Sequence, residues 1–384
     1  MSDPTHAGVA LNAQARIESA AFLTHFDALV DPRQPGKVIY PMNEVLLLCL
    51  LATLAGAETF VDIALFGVKK RELLRRFLPF AKGTPSHDHL GDLFATLDAE
   101  CFQRCFAAWV ASFTGLSEDV IAIDGKTSRR AKQGGKMLLH TVSAFCARQR
   151  LVLGQTKVDE KSNEITAIPK LLTMLALEGA IVTLDAMGCQ RDIAQAILNR
   201  QADYVLALKG NQGKLREDVE VFAQTHKAQD FADTKGTQHR DVEGDHGRIE
   251  TRTTTVFHDV AWLQKRHDWP GLKSLVMVES VREIGERIER ENRYYVSSLR
   301  VPAQQMGALV RRHWAVENSL HWVLDMVFRD DECRVRTAHA PANFTTIKHM
   351  ALNLLRRAKD KLSIRARRKA AAWDDDFLAG LLSG

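Results

Sequence analysis

The chain has no CxxC pair, although it carries six cysteines. Cys49, Cys101, Cys105, Cys146, Cys189 and Cys333 are scattered through apolar segments, which reads as reduced, buried thiols and excludes a disulfide scaffold. Cys101 and Cys105 lie one helical turn apart, but no second Cys/His pair is near enough in sequence to complete a metal site, so core packing is the expectation there. The apolar run Val45–Ala57 is too short to span a bilayer and reads as a buried core helix. The opening residues lack a basic segment followed by an apolar one, so no secretory signal is visible and a cytoplasmic protein without membrane partners is expected. Neither a GxGxxG nor a Walker A loop is present. Charge of one sign is not in large excess either: the net value is +5, a weak preference for anionic partners.

What the chain does have is apolar content sufficient for cores, at 46% of 384 residues, arranged in changing periodicities. Residues 1–20 are polar and expected to be loosely ordered. Residues 21–115 follow helical spacing, with breaks at 31–36 and 82–85, and Ser86 is placed to cap a helix through Leu90, Leu93, Phe94 and Leu97. Lys69–Phe80 is basic and amphipathic. The helix–turn–helix it forms with the next segment fits a DNA reader, and fits an ordinary helical corner as well. From residue 116 the pattern changes. Val120–Asp124, Leu138–Ala147 and Leu151–Val158 read as strands, Ile165–Leu177 as a helix, Ile181–Asp185 as a strand, Gln190–Gln201 as a helix and Tyr204–Leu208 as a strand. Three consecutive strands followed by helix, strand, helix, strand is the ribonuclease H-like order. The expected fold class is therefore α/β: a ribonuclease H-like core over 116–358, preceded by an all-helical domain and interrupted by a β-rich insertion at about 210–300. A helix spanning Met306–Val327 and another from Ala342 to Arg357 follow, and 359–384 is expected to be a basic tail. Arg356, Arg357, Lys359, Lys361, Arg365, Arg367, Arg368 and Lys369 read as a phosphate-contacting arm or a solvated helix face.

Three carboxylates stand out by position. Asp124 and Asp185 close β-branched apolar runs, and Glu317 lies in an amphipathic helix. A carboxylate at the end of a buried strand projects from the sheet edge, where ligands collect in open α/β sheets. Gathering three such groups is costly unless cations neutralise them. Two divalent ions about 3.5–4 Å apart would satisfy the three acids and act on a phosphodiester. Oxygen donors point to magnesium, with manganese as a substitute. His313 and His321 share a helix face with Glu317; a zinc reading of that stripe lacks further ligands, so the two histidines are expected to support Glu317 or touch a phosphate. Trp314 and Trp322 are expected in the core, with stacking of one on a base as the alternative, and Asp325, Asp330, Asp331 and Glu332 compete with Glu317 as third acid. Lys126, Arg129, Arg130, Lys209, Asn211 and Arg248 could line a channel for a nucleic-acid backbone together with those histidines.

The motifs AIDGKTSRRA, TLDAMGCQ, YVLALKGNQ, DHGRIETR, RRHWAVENSLHWVLDMVFRDDECRVR and NFTTIKHMALNLLR, in this order, resemble insertion-sequence DDE transposases of the H-repeat-associated group from about Phe22 to Arg357. The resemblance implies that Asp124, Asp185 and Glu317 form a catalytic triad in a nucleoid-associated enzyme. It further implies binding of terminal inverted repeats and target DNA, metal-dependent cleavage and strand transfer, and a homodimer when assembled on DNA. Related transposases with a β insertion carry Tyr, Arg, Glu and Lys along the last catalytic helix, where this chain has Val310, His313, Glu317 and Leu324. A nuclease without strand transfer and an inactive DNA-binding relic remain the alternatives.

Overall fold

The computed structural model describes residues 21–115, 118–128, 132–133, 136–137, 139–158, 163–229, 234–245 and 248–382. Two compact bodies interleave along the chain: Met1–Phe113, Thr127–Leu139 and Trp322–Gly384 form one, and Thr114–Lys126 with His140–His321 form the other. Among the described residues, no helix is long and apolar enough to cross a membrane.

The first body is built on two helices buried all round. Met42–Leu54 buries every residue from Glu44 to Leu54, as the apolar run predicted, and Ala340–Arg357 buries every residue from Ala340 to Leu355. A helix without a solvent-exposed face belongs at the centre of its domain. Ala340–Arg357 accordingly packs against Met42–Leu54, His87–Thr96 and Ala99–Ala111, which joins the late chain to the early helices. Two of its polar residues find partners within the body. The Asn343 amide donates to the Phe94 and Leu97 carbonyls, and Lys348 Nζ sits 2.7 Å from Asp330 Oδ1. Ser86 caps His87–Thr96 by accepting from the His89 amide, as its position predicted.

Two expectations fail here. Lys69–Phe80 is helical only over the single turn Arg71–Leu74, following the capped helix Phe60–Lys69. Lys70 and Arg76 are paired with Asp375 and Asp376. The basic run near the C-terminus is neither a free arm nor a solvated face throughout. It forms the helix Ile364–Trp373, in which Arg367 and Arg368 are buried. Arg367 donates to the Leu355 carbonyl, and Arg368 to the carbonyls of Thr53, Ala57 and Val327. These carbonyls sit at or just beyond the C-terminal ends of other helices, where unpaired acceptors and the helix dipole both favour a cation. A charge count cannot distinguish an exposed arginine from one that caps a helix.

The second body centres on one mixed sheet. Its strands, with the small hairpin β2–β3 of the first body counted in chain order, are β1 (Val120–Thr127), β2 (Lys132–Gln133), β3 (Lys136–Met137), β4 (His140–Cys146), β5 (Leu151–Lys157), β6 (Ile181–Leu184), β7 (Asp203–Leu208), β8 (Gly236–Asp245), β9 (Arg248–Phe257), β10 (Ser274–Ile284) and β11 (Arg287–Ser297). The sheet order is β5-β4-β1-β6-β7-β11-β10-β9-β8. β1, β6 and β7 are parallel neighbours joined through the helices Glu164–Thr173 and Arg191–Leu198. β4 and β5 form an antiparallel pair at one edge. The strands expected as an insertion continue this same sheet, because β11 pairs antiparallel with β7 from Tyr294↔Leu208 to Ser297↔Val205. Within the expected β-rich stretch, residues 233–247 are rich in glycine, histidine and charge and carry no strand pattern, yet β8 lies there. It is an edge strand with most residues exposed, so no apolar alternation marks it.

The helix Ala303–His313 lies on one face of the sheet. Ala303, Met306, Leu309 and Val310 pack in a core cluster with Val120, Val205, Val256, Val276, Val278 and Tyr295. Gly307 allows that approach: a Cβ there would stand 2.8 Å from Thr254 Oγ1.

Candidate active site

Parallel pairing of β1 with β6 runs Val120↔Ile181, Ile121↔Val182, Ala122↔Thr183 and Ile123↔Leu184. Asp124 and Asp185 are the next residues on each strand. Two adjacent parallel strands thus deliver their carboxylates in register at the same carboxyl edge. The β-branched residues before them form the buried strands, and the acids take over where pairing with the neighbour ends. Asp185 turns the chain sharply: its Oδ1 accepts from the Met187 and Gly188 amides at 3.0 and 3.3 Å. Asn211 then braces that loop by donating to the Ala186 carbonyl at 2.6 Å.

The third acid arrives on a helix that is not regular. A continuous helix over Met306–Val327 was expected. The chain instead runs as Ala303–His313, a π-helical turn Val316–His321, and Trp322–Val327. No proline or glycine lies between Trp314 and Val327 to cause the change. Wide π turns of this kind recur at functional sites. This one carries Glu317 and His321. One oxygen each from Asp124 and Glu317 and one nitrogen of His321 all lie within 4.8 Å of one another. His321 Nδ1 is 3.4 Å from Glu317 Oε2 and 3.6 Å from Asp124 Oδ2. Asp185 is outside that triplet but near enough for its charge to raise the Asp124 pKa.

The electrostatics follow from this crowding. Burial, above all, pushes the Asp124 carboxyl up to about 7, and Glu317 and Asp185 add to the shift while His321 opposes it. Glu317 moves the other way, held below its usual range above all by the neighbouring His321 and helped by Asp124 and the Lys126 charge. Of the two carboxyls, Asp124 therefore keeps a proton to higher pH than Glu317 does. His313 is displaced from the triplet: its Nδ1 is 3.0 Å from Thr183 Oγ1, and burial lowers its pKa. It ties the end of its helix to β6 beside Asp185. An acidic cluster whose members resist simultaneous ionisation, open at a sheet edge, suits a hard divalent cation.

The remaining sequence candidates separate. Lys126 lies beyond Asp124 on β1 and acts on Glu317 through space, and Lys209 is exposed just after β7. Arg129 and Arg130 lie outside the described residues. Arg248 borders a cavity of about 670 Å³ between the outer strands and the Glu317 helix. Charges there are balanced: Arg252 and Arg293 pair with Glu250 and Glu291 at 2.7 and 2.8 Å, Arg248 and Arg282 lie 3.9 and 3.7 Å from Glu250, and Arg311 pairs with Glu243. Trp314 and Trp322, expected in the core, are 46% and 58% exposed, and Trp314 lies under the Arg293 guanidinium. Of the competing acids, Asp330 is buried against Lys348.

Sequence reasoning missed one pair beside the site. Glu164, the first residue of its helix, reaches His140 Nε2 at 2.9 Å and packs so closely on Gly125 that a Cβ there would stand 2.0 Å from Glu164 Oε1. Gly125 has an ordinary φ, so close approach rather than backbone conformation requires glycine after Asp124. The only sequence signal was a glycine at a strand end.

Comparison with known proteins agrees with this architecture. Residues 23–110 match the DDE_Tnp_1-associated family and residues 115–354 the Transposase DDE domain family. Two similar relatives are the "H repeat-associated putative transposase YhhI" of Escherichia coli K12 and the "Putative transposase YncI" of Escherichia coli O157:H7. The first is 37% identical over 96% of this chain and 99% of its own length. The second is 38% identical over 94% of each. The chain belongs to the DDE transposase family, in the H-repeat-associated group.

Proposed function

We propose that this protein is an active transposase whose Asp124, Asp185 and Glu317 hold the divalent ions for DNA cleavage and strand transfer. The observation that carries the reading is the register of β1 and β6, which brings Asp124 and Asp185 out side by side, with Glu317 delivered to Asp124 by the π turn. The sheet order and the family match together support a ribonuclease H-like core. Magnesium, or manganese in its place, would supply an activated attacking oxygen and stabilise the leaving one. The protein's own part is positional and electrostatic. Two strand ends and one helix fix three carboxylates, while Lys126 and Lys209 at the same edge attract the phosphates of a terminal inverted repeat. Water adds at phosphorus and the 3′ oxygen leaves with a proton. The freed 3′ hydroxyl then attacks a target phosphodiester, expelling a target 3′ oxygen and joining the strands. Two ends held together require two copies of the chain on DNA.

The test is cleavage of a duplex carrying the element's end. Magnesium-dependent release of a 3′ hydroxyl and joined products in the presence of target DNA are expected. Asp124→Asn, Asp185→Asn and Glu317→Gln should each lose at least about a hundredfold in rate. Cutting without joining would leave a nuclease, and full activity in Asp124→Asn would remove the assignment.

A further inference from the structure

We infer that His321 is itself a metal ligand, giving the Asp124–Glu317 end of the site a mixed nitrogen–oxygen donor set that prefers manganese to magnesium. The inference deepens the proposed function and rests on Asp124 and Glu317 being metal-holding residues.

Three observations carry it. First, the imidazole is seated on neither carboxylate. Nδ1 stands 3.4 Å from Glu317 Oε2 and 3.6 Å from Asp124 Oδ2, beyond the ~2.7–2.9 Å of a charge-assisted hydrogen bond. Donor atoms about 2.0–2.2 Å from a common ion lie up to roughly 4.4 Å apart. The three donors here fall within 4.8 Å, so a small inward movement of the partly exposed Glu317 closes the set.

Second, the side chain is only 6% exposed, and its Nε2 is buried without a hydrogen-bond partner. A histidine kept for structure is normally clamped through both nitrogens, since a buried polar atom left unpaired costs about 1–3 kcal/mol. The one directed feature of His321 is Nδ1 facing two acids.

Third, Glu317 and His321 lie on the π turn Val316–His321. Such a turn forgoes regular helical hydrogen bonding, and no proline or glycine imposes it here. It presents both side chains to Asp124 while His313, one turn earlier, is bound to Thr183 instead.

The chemistry then selects the ion. Magnesium takes near-octahedral oxygen ligands and gives up its waters reluctantly. An imidazole in the set shifts preference toward transition ions. Manganese accepts both donor types and remains competent for phosphodiester chemistry.

The test uses full-length protein stripped of metal and titrated with manganese alone, magnesium alone, and the two in competition. Electron paramagnetic resonance follows the bound manganese. The wild type should bind manganese at least about tenfold tighter than magnesium and show nitrogen hyperfine coupling from one imidazole. His321→Ala and His321→Gln should lose the coupling and about 10–100-fold in manganese affinity, with magnesium affinity changed less than about threefold. A wild-type spectrum without nitrogen coupling overturns the inference, as does an equal loss for both ions. The wild-type spectrum decides even where a variant fails to fold. Asp124→Asn separates the two readings. If it abolishes binding of both ions while His321→Ala spares both, the acidic site stands and the histidine ligand falls. If Asp124→Asn spares both, the acidic site itself falls.

Discussion

Replacing Asp124 with asparagine should stabilise the metal-free protein while destroying its response to metal. Asp124 is largely buried between Glu317 and the charge of Asp185, and its pKa rises from 3.8 to about 7. A carboxyl whose pKa is raised on folding costs no stability below its unfolded value. The cost appears as pH rises from about 4 and is complete above about 7, because the folded protein must either hold a proton there or carry an unwelcome charge. At about 1.36 kcal/mol per pKa unit, a rise of some three units corresponds to about 4 kcal/mol at pH 8 and under about 2 kcal/mol at pH 5. The proton is shared with Glu317, so about 2–4 kcal/mol is expected at pH 8. Urea unfolding in chelator should show Asp124→Asn more stable than wild type at pH 8, with an advantage about 2 kcal/mol smaller at pH 5. Manganese at a hundred times its dissociation constant should then stabilise the wild type by about 2.7 kcal/mol and leave the variant unmoved. A variant less stable than wild type at pH 8 in chelator, or an advantage independent of pH, would refute the reasoning.

Three further outcomes are expected. Gly125→Ala drives a Cβ into Glu164 and breaks its contact with His140, costing about 1–3 kcal/mol in chemical denaturation, with cleavage slowed as the Asp124 strand end shifts. Lys348→Ala leaves Asp330 buried without its ammonium and should cost about 3–5 kcal/mol, whereas Lys348→Met with Asp330→Leu should recover most of that; equal losses in the single and double variants would contradict it. Arg368→Ala deprives helix-end carbonyls of a buried donor and should lower stability by about 2–4 kcal/mol. The slope of DNA affinity against salt should stay unchanged in that variant; a slope reduced by about one would return Arg368 to phosphate contact.

The parts of the fold visible in the sequence are those whose burial is one-sided or complete. Val120–Ile123 and Ile181–Leu184 are dominated by β-branched and apolar residues because both lie deep in the sheet, so the acids that end them could be read directly. The helix Met42–Leu54 was equally plain. β8 was invisible because an exposed edge strand needs no apolar alternation. The π turn was invisible because its residues keep helical spacing, so nothing local separates it from a regular helix. Arg368 misled because its partners are main-chain carbonyls of helices distant in sequence. Glu164 and His140 come together with Gly125 only through the sheet and its crossover helix. Spacing along the chain carries no trace of such a meeting.

The most direct measurement is a diffraction experiment on crystals of the full chain soaked in manganese, with anomalous scattering locating the ions. Two peaks about 3.5–4 Å apart are predicted, with Asp124 touching both and Asp185 and Glu317 each reaching one. Peaks elsewhere, or Asp185 or Glu317 oxygens remote from any peak, would contradict the assignment of these three carboxylates as one metal site.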